Sequence, residues 1–478
     1  MLPDVITALG KLGIRCPISP DWYANIDQWH EWYKGNTAFH SYKVYNGSKF
    51  NVTKKYTLKM PKTICEDRAD ILLNENTDIV VADEAAQKYI DDVFDRTEFW
   101  ANANQLIETV GWSGTGAFVE YLENGEPQIN YISGDHIYPL SWRDNRITEC
   151  AFASVMFDVV AGELLYLAIH RRDATTGIYT VTNHLFNDKG AQIELPVGTL
   201  ASWNTQQTIP TFQIVKFAMM NNLDKNNPMG ISLYANTIDV LKTLDTAFDS
   251  LANEFIMGRK RIFVDSSIVN VSTEGEIVPL FDPSDTVFYS IPGLSGDTEN
   301  KLPIRESNME LRVSEHVDTI QASLDLLSLK VGFGRGFYRF EAMQVTTATE
   351  VISTDSKMYR RVRKDEIVLE SALRALVQSL LALGGFDPAQ EITVQFNDNV
   401  IEDTNAIAQR ALAEYQSKVI SLEQYYEITE NLRTKAAQRR ARLTREQLKL
   451  DSTPETDGNK ISPDQGTKEG SPTEQGLA

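Results

Sequence analysis

Between Lys330 and Glu350 the chain reads KVGFGRGFYRFEAMQVTTATE, and here its residue types come nearest to a recognisable chemistry. Gly332, Gly334 and Gly336 alternate with Phe333, Arg335 and Phe337, and Tyr338, Arg339 and Phe340 follow. A glycine turn beside cations is one way to cradle phosphate, but a dinucleotide loop needs GxGxxG after a strand. The spacing here is GxGxG, and the residues before it are patterned as a helix. No GxxxxGK[ST] occurs, which argues against a P-loop nucleotide engine. Glycine accepts backbone angles that other residues resist, so the three mark a break between helices. Thr347-Ala-Thr-Glu350 then forms a capping box, in which the threonine hydroxyl and the glutamate satisfy each other's helix-end amides. The expectation is a mobile loop carrying Arg335, Tyr338, Arg339 and Phe340 between two rigid rods.

Other chemistry is thin. The six histidines (30, 40, 136, 170, 184 and 316) show no HExxH or metal spacing. Cys16, Cys65 and Cys150 are scattered, without a CxxC pair, which speaks against a disulfide framework and against zinc. Gly111-Trp-Ser-Gly114 falls short of the GxSxG that a nucleophile elbow requires. No catalytic activity, cofactor or metal is expected. The net charge of −20 disfavours a broad grip on nucleic acid and leaves only local basic patches for it. No run approaches the ~20 apolar residues of a membrane span. Residues 1–20 lack the layout of a secretory signal, so the cytoplasm is the expected compartment.

The elements around the loop can be read from periodicity. Residues 21–35, DWYANIDQWHEWYKG, place Ile26, Trp29 and Tyr33 at helical spacing. A strand is expected over 51–59, a helix over 60–74 and another over 85–112. From Ala117 to Lys216 the pattern turns to short β-rich runs, with a turn at Asn124-Gly125 and strands at 147–159, 164–171, 177–185 and 192–195. An antiparallel meander inside a helical protein places the fold class as α+β. A helix over 231–258 follows, with Leu241, Leu244, Phe248, Leu251 and Phe255 as its apolar seam. A second seam of Val313, Val317, Ile320, Leu324 and Leu327 leads into the glycine loop. The strand-like stretch between them, 261–304, reads as the β tip of an antiparallel helical pair. From Ala348 a helix of about 54 Å runs to Leu383, with Arg360, Arg361, Arg363 and Lys364 at its middle. Residues 391–398 read as a lone strand that must pair with an earlier one, and 403–450 as helix. In that helix Arg433, Lys435, Arg439, Arg440, Arg442, Arg445 and Lys449 stand against one acid, Glu446. The composition of 451–478 is that of a disordered tail.

This succession resembles the portal protein of tailed bacteriophages, the head–tail connector, in the subgroup typical of phages of Gram-positive hosts. The resemblance is carried by DWYANIDQWHEWYKGN, by KMPKTICEDRADILLNE, by the β-rich region and the helix at 236–261, and above all by VTTATEVISTDSKMYRRV. It implies a ring-forming portal fold with a β-rich wing (1–230, with the strand at 391–398) and a two-helix stem (231–261 and 306–331). A small α/β clip (262–305), a tunnel loop (332–346), a long helix (347–385) and a helical crown (386–450, with the wing's return) complete it. Implied partners are eleven further copies in a twelve-subunit ring, double-stranded DNA in the channel, the terminase large subunit, a head-completion adaptor, and the major capsid and scaffolding proteins. The location implied is the capsid vertex of the virion, with the host cytoplasm during assembly and no membrane. Arg335, Tyr338, Arg339, Phe340 and Gln344 would face the channel, hinged on Gly332, Gly334 and Gly336. Arg335 and Arg339 then meet either DNA or acids of a neighbouring subunit, and Arg360–Lys364 are expected in bridges between subunits. A helical scaffold that binds proteins and never meets DNA is the alternative reading.

Overall fold

The computed structural model describes residues 4–45, 49–73, 77–159, 162–258, 261–265, 270–273, 276–279, 288–291, 304–307, 310–339, 348–396, 404–429, 437 and 439–444. The chain divides into two compact units, Met1–Asp398 and Asn399–Ala478. The expected disordered tail, together with Phe340, Gln344 and Thr347, lies outside the described residues.

The first unit opens with helices α1 (Val5–Lys11) and α2 (Pro20–Lys34). The Asp4 side chain caps α1 by accepting from the Thr7 amide, and Pro20 starts α2 where a missing amide costs nothing. Of the expected row, Ile26 and Trp29 are buried and Tyr33 is half-buried, and Trp22 and Trp32 of α2 are buried beside them. A hairpin of β1 (Ser41–Tyr45) and β2 (Phe50–Lys54) follows, then α3 (Met60–Leu72) and β3 (Asp78–Val81). The single helix expected over 85–112 is two, α4 (Glu84–Arg96) and α5 (Phe99–Ser113). Between them Glu98 takes a left-handed conformation (φ 48°), and the turn stacks Phe94 on Phe99 with centroids 4.0 Å apart.

The β-rich stretch forms two sheets. Strands β4 (Gly116–Glu123) and β5 (Glu126–Ser133) pair through the Asn124-Gly125 turn. Then come β6 (Ile137–Arg143), β7 (Arg146–Asp158), β8 (Gly162–Arg172), β9 (Tyr179–Phe186), β10 (Gln192–Ile193), β11 (Ser202–Asn204) and β12 (Phe212–Val215). The expected meander is the sheet β10-β9-β8-β7-β6, with β11 also on β9, whereas β12 returns to flank β4. Helix α1 covers one face of this meander, packing Ala8 and Leu9 against Leu165, Leu167 and Phe186.

Helix α6 (Ile238–Met257) begins seven residues later than the apolar pattern promised. Ile231–Tyr234 are buried but not helical, because Gly230 is pressed against Gly114: a Cβ on Gly230 would lie 2.2 Å from the Gly114 carbonyl oxygen. Strands β13 (Arg261–Asp265), β14 (Asn270–Thr273), β15 (Glu276–Pro279), β16 (Phe288–Ile291) and β17 (Ile304–Ser307) make up the described part of the excursion. There β13 pairs with β16 in parallel and with β17 antiparallel, while β14 and β15 form a hairpin. Helix α7 (Val313–Val331) runs back along α6, and α8 (Ala348–Leu383) is the long rod. The lone strand expected at 391–398 is β18 (Ile392–Gln395), and its partner is β3.

In the second unit the helix expected over 403–450 is interrupted. Helices α9 (Thr404–Gln416) and α10 (Leu422–Thr429) flank a turn at Lys418, where φ is 57°. The Arg440 guanidinium lies over the Tyr426 ring at 5.7 Å.

A buried group in the meander carries a pH signature. His170 on β8 sits edge-on to Phe152 and Phe212, and Thr211 Oγ1 lies 3.1 Å from its Nδ1. Burial pushes its pKa from the usual 6.5 down to about 3. The unfolded chain therefore binds a proton that the folded one refuses, and stability falls as pH drops from about 6.5 toward about 3. Urea unfolding should show His170→Leu gaining on the wild type across that window, with no such trend above pH 7.

Candidate functional site

The glycine loop is held far more firmly than its composition implies. Helix α7 ends at Gly332 in the left-handed conformation (φ 94°), where the Gly332 and Phe333 amides both donate to the Ser328 carbonyl, at 3.1 and 3.0 Å. Gly334 and Gly336 also have positive φ, 94° and 80°. The side chains then divide between the body and the surface. Phe333 is buried and Tyr338 half-buried, while Arg335, Phe337 and Arg339 are exposed. The buried glycines let the backbone lie flat on the body, and a Cβ on Gly332 would meet Arg361 Cγ at 3.1 Å.

What holds the loop is Arg68 of α3, whose side chain is fully buried. Its Nη2 donates to the Val331 carbonyl at 3.0 Å, and its guanidinium lies 4.7 Å from the centre of the Phe333 ring. Its Nη1 stands 3.5 Å from Asp365 Oδ2 of α8, long for a strong hydrogen bond. Asp365 Oδ1 accepts from the Ala218 amide at 2.8 Å. Burial pulls the Arg68 pKa down and pushes the Asp365 pKa up, and in each case the partner's charge opposes the shift. Beside this pair the Tyr338 hydroxyl donates to Asp67 Oδ2 at 2.7 Å, and Gln321 Nε2 of α7 donates to the Tyr338 carbonyl at 2.9 Å. Burial and the Asp67 carboxylate raise the Tyr338 pKa, so the phenol stays protonated. Phe333, Phe337 and Tyr338 pack ring on ring, with Phe333 and Phe337 stacked 4.6 Å apart.

Within the single chain the loop up to Arg339 is clamped to α3, α7 and α8, and Tyr338 points into that clamp. Arg335 has a third kind of partner, Asp325 of its own chain, at 3.4 Å on an exposed surface. Arg339 folds over Gly336, with guanidinium nitrogens 2.4 Å from where a Cβ would stand. Arg363, expected in a bridge between subunits, donates to Glu366 on its own helix at 2.7 Å. Glu350 lies in the first turn of α8.

The helical seams are buried only in part. Leu241, Leu244, Ile320, Leu324 and Leu327 are buried, and Phe248, Leu251 and Val313 are half-buried. Phe255 and Val317, toward the β tip, are exposed, at 49% and 36%. There Arg312 closes the pair through Glu254, which holds that carboxyl down to about 2.

Sequence reasoning missed Arg68 and Asp365, yet both carry a signal. Arg68 stands midway in the apolar row Ile64, Arg68, Leu72, and Asp365 sits in the row Met358, Val362, Asp365, Leu369. A charge on an apolar helical face is either exposed by mistake or paired inside.

Ser113 is buried at the end of α5, its hydroxyl 2.8 and 2.7 Å from the carbonyls of Thr109 and Thr115. Among the described residues no three His, Cys, Asp or Glu side chains gather as metal ligands. None of the described helices is long and apolar enough to cross a membrane.

Comparison with known proteins gives a family match over most of the chain. The family model described as "Phage portal protein, SPP1 Gp6-like" matches residues 18–449. No curated protein matches. Among solved structures, the neck of an empty GTA particle aligns over 89% of this chain and 98% of its own, at 11% identity and a TM-score of 0.45. The virion of a native gene transfer agent (GTA) aligns over 77% and 88%, at 12% identity and a TM-score of 0.39.

The clamp makes a thermodynamic prediction. Arg68→Ala strands Asp365 as a buried, unpaired carboxylate and should cost about 3–5 kcal/mol. Arg68→Met with Asp365→Asn should recover much of that, whereas Arg335→Ala, on an exposed pair, should shift stability by less than about 1 kcal/mol. Urea unfolding of the three variants beside the wild type measures both.

Proposed function

The chain belongs to the SPP1 Gp6-like family of phage portal proteins, and from that premise we propose that it is the subunit of a ring through which double-stranded DNA enters and leaves a phage capsid. The observation that carries this reading is the outward row Arg335, Phe337, Arg339 on a loop locked to the protein body, in a chain of net charge −20. An acidic conduit repels the phosphate backbone and lets the polymer slide, while a few cations repeated around a ring supply local, salt-sensitive contact. In this reading the loop from Gly332, including Arg335, Arg339, Phe340 and Gln344, lines the narrowest part of the channel. Tyr338 belongs to the anchor. Helices α6 and α7 form the stem and residues 262–305 the clip, which meets the terminase large subunit and later a head-completion adaptor. The ring has twelve subunits in the virion and contacts the major capsid and scaffolding proteins at one vertex. It assembles in the host cytoplasm. The ATP-driven motor lies on another chain, and the portal works sterically and electrostatically, without catalysis.

Electron microscopy of the purified protein should show rings with an opening about as wide as duplex DNA; monomers or open filaments at micromolar concentration would overturn the reading. Arg335→Glu with Arg339→Glu should leave rings intact and lower the DNA packaged or retained per particle, measured by nuclease-protected DNA. Wild-type packaging by that variant would remove the loop's charge from the mechanism.

A further inference from the structure

Among the described residues the β1–β2 ribbon pairs with no third strand, and a two-stranded sheet is marginal by itself. In its register Lys43 faces Val52, Tyr45 faces Phe50 and Ser41 faces Lys54, so these six residues share one face. All six are exposed, Tyr45 at 57%, Phe50 at 69% and Val52 at 70%. Residues 41–59 carry five lysines and no acid, within a chain of net charge −20. A basic apolar face on a predominantly acidic molecule has its natural complement on a second copy.

That complement is present on α7. Glu315, Asp318, Ala322, Leu326 and Leu329 recur at helical steps of three and four, away from the buried Ile320, Leu324 and Leu327, and all five are exposed. Acids occupy the first part of this stripe and leucines the second. The root of the ribbon also stands near the acidic end of this stripe along the helical pair. The segment leaving β2 is tied to α6 by the Tyr56 amide on Asp249 Oδ1 at 3.0 Å and the Leu58 amide on Asp245 Oδ1 at 3.1 Å. Glu254 of α6 pairs with Arg312 of α7. Counting from that pair, Asp249 lies about 7.5 Å along α6, and Glu315 and Asp318 about 4.5 and 9 Å along α7.

We propose that the outward face of the β1–β2 ribbon docks on the exposed Glu315–Leu329 stripe of α7 in a second copy. Lys43 and Lys54 meet Glu315 and Asp318, and Tyr45, Phe50 and Val52 cover the apolar part. Two different patches meet, so the contact is head-to-tail and repeats from copy to copy until it closes. It rests on the ring reading above. A nucleic-acid role fits the ribbon less well, since half of this face is large and apolar and gains nothing from a phosphate backbone.

The test is a charge exchange in the full chain. Lys43→Glu with Lys54→Glu, and separately Glu315→Lys with Asp318→Lys, should each lower the assembled fraction by at least about tenfold in mass photometry at low salt. All four changes in one chain should restore assembly. In parallel, Val52→Cys with Ala322→Cys should give an intermolecular ladder with a thiol-specific crosslinker, and neither change alone should. Wild-type assembly by both charge-reversed variants, or no ladder from the double-cysteine rings, overturns the docking while the ring reading stands. Loss of duplex-DNA binding in Lys43→Glu with Lys54→Glu without loss of assembly also overturns it. A wild-type chain that forms no rings defeats the ring reading itself.

Discussion

One fully buried guanidinium joins the parts of this structure that matter most. Arg68 leaves α3 and reaches the last carbonyl of α7, the first aromatic of the glycine loop and a carboxylate on α8. Burying a charge is costly, and a single ion pair at 3.5 Å does not obviously repay it. What the arginine provides is direction: a planar group that meets a carbonyl, a ring and an acid in three different orientations fixes three elements against one another. Leucine at that position would fill the space and leave the loop's exit angle free.

That exit angle links the sequence to the proposed conduit. With Phe333 and Tyr338 drawn inward, the left-handed turns at Gly334 and Gly336 leave Arg335, Phe337 and Arg339 exposed. The buried glycines carry no side chain that would hold the backbone off the body. The loop expected to be free between two rods is thus anchored as far as Arg339, and presents three side chains from that anchor. Its cations are tempered by their own chain, since Arg335 already has Asp325 for company.

Much of the fold was legible because periodicity is local. The meander strands, the long rod α8 and the burial of Leu241, Leu244, Ile320, Leu324 and Leu327 all follow from spacing alone. The failures share a different cause. No glycine or proline marks the break at Glu98, which is made by the stacking of Phe94 on Phe99. Ile231–Tyr234 look helical by composition but are claimed by the contact of Gly230 with Gly114, a partner more than a hundred residues away. The apolar α1 and the four-residue β3 were too short to stand out. Arg68 and Asp365 were visible as charges on apolar rows, yet only the three-dimensional pairing says that they meet.

The pairing of β3 with β18 bears on how this protein comes into being. Val81 lies opposite Ile392, about 310 residues further on. At a synthesis rate of about 5–20 residues per second, the early half of the body waits on the order of 15–60 s for the strand that completes it. During that interval Ile79 and Val81 offer an unpaired edge, and the helices around them lack the apolar face of α8. Closure of the body is thus a late, long-range event in the folding of this chain.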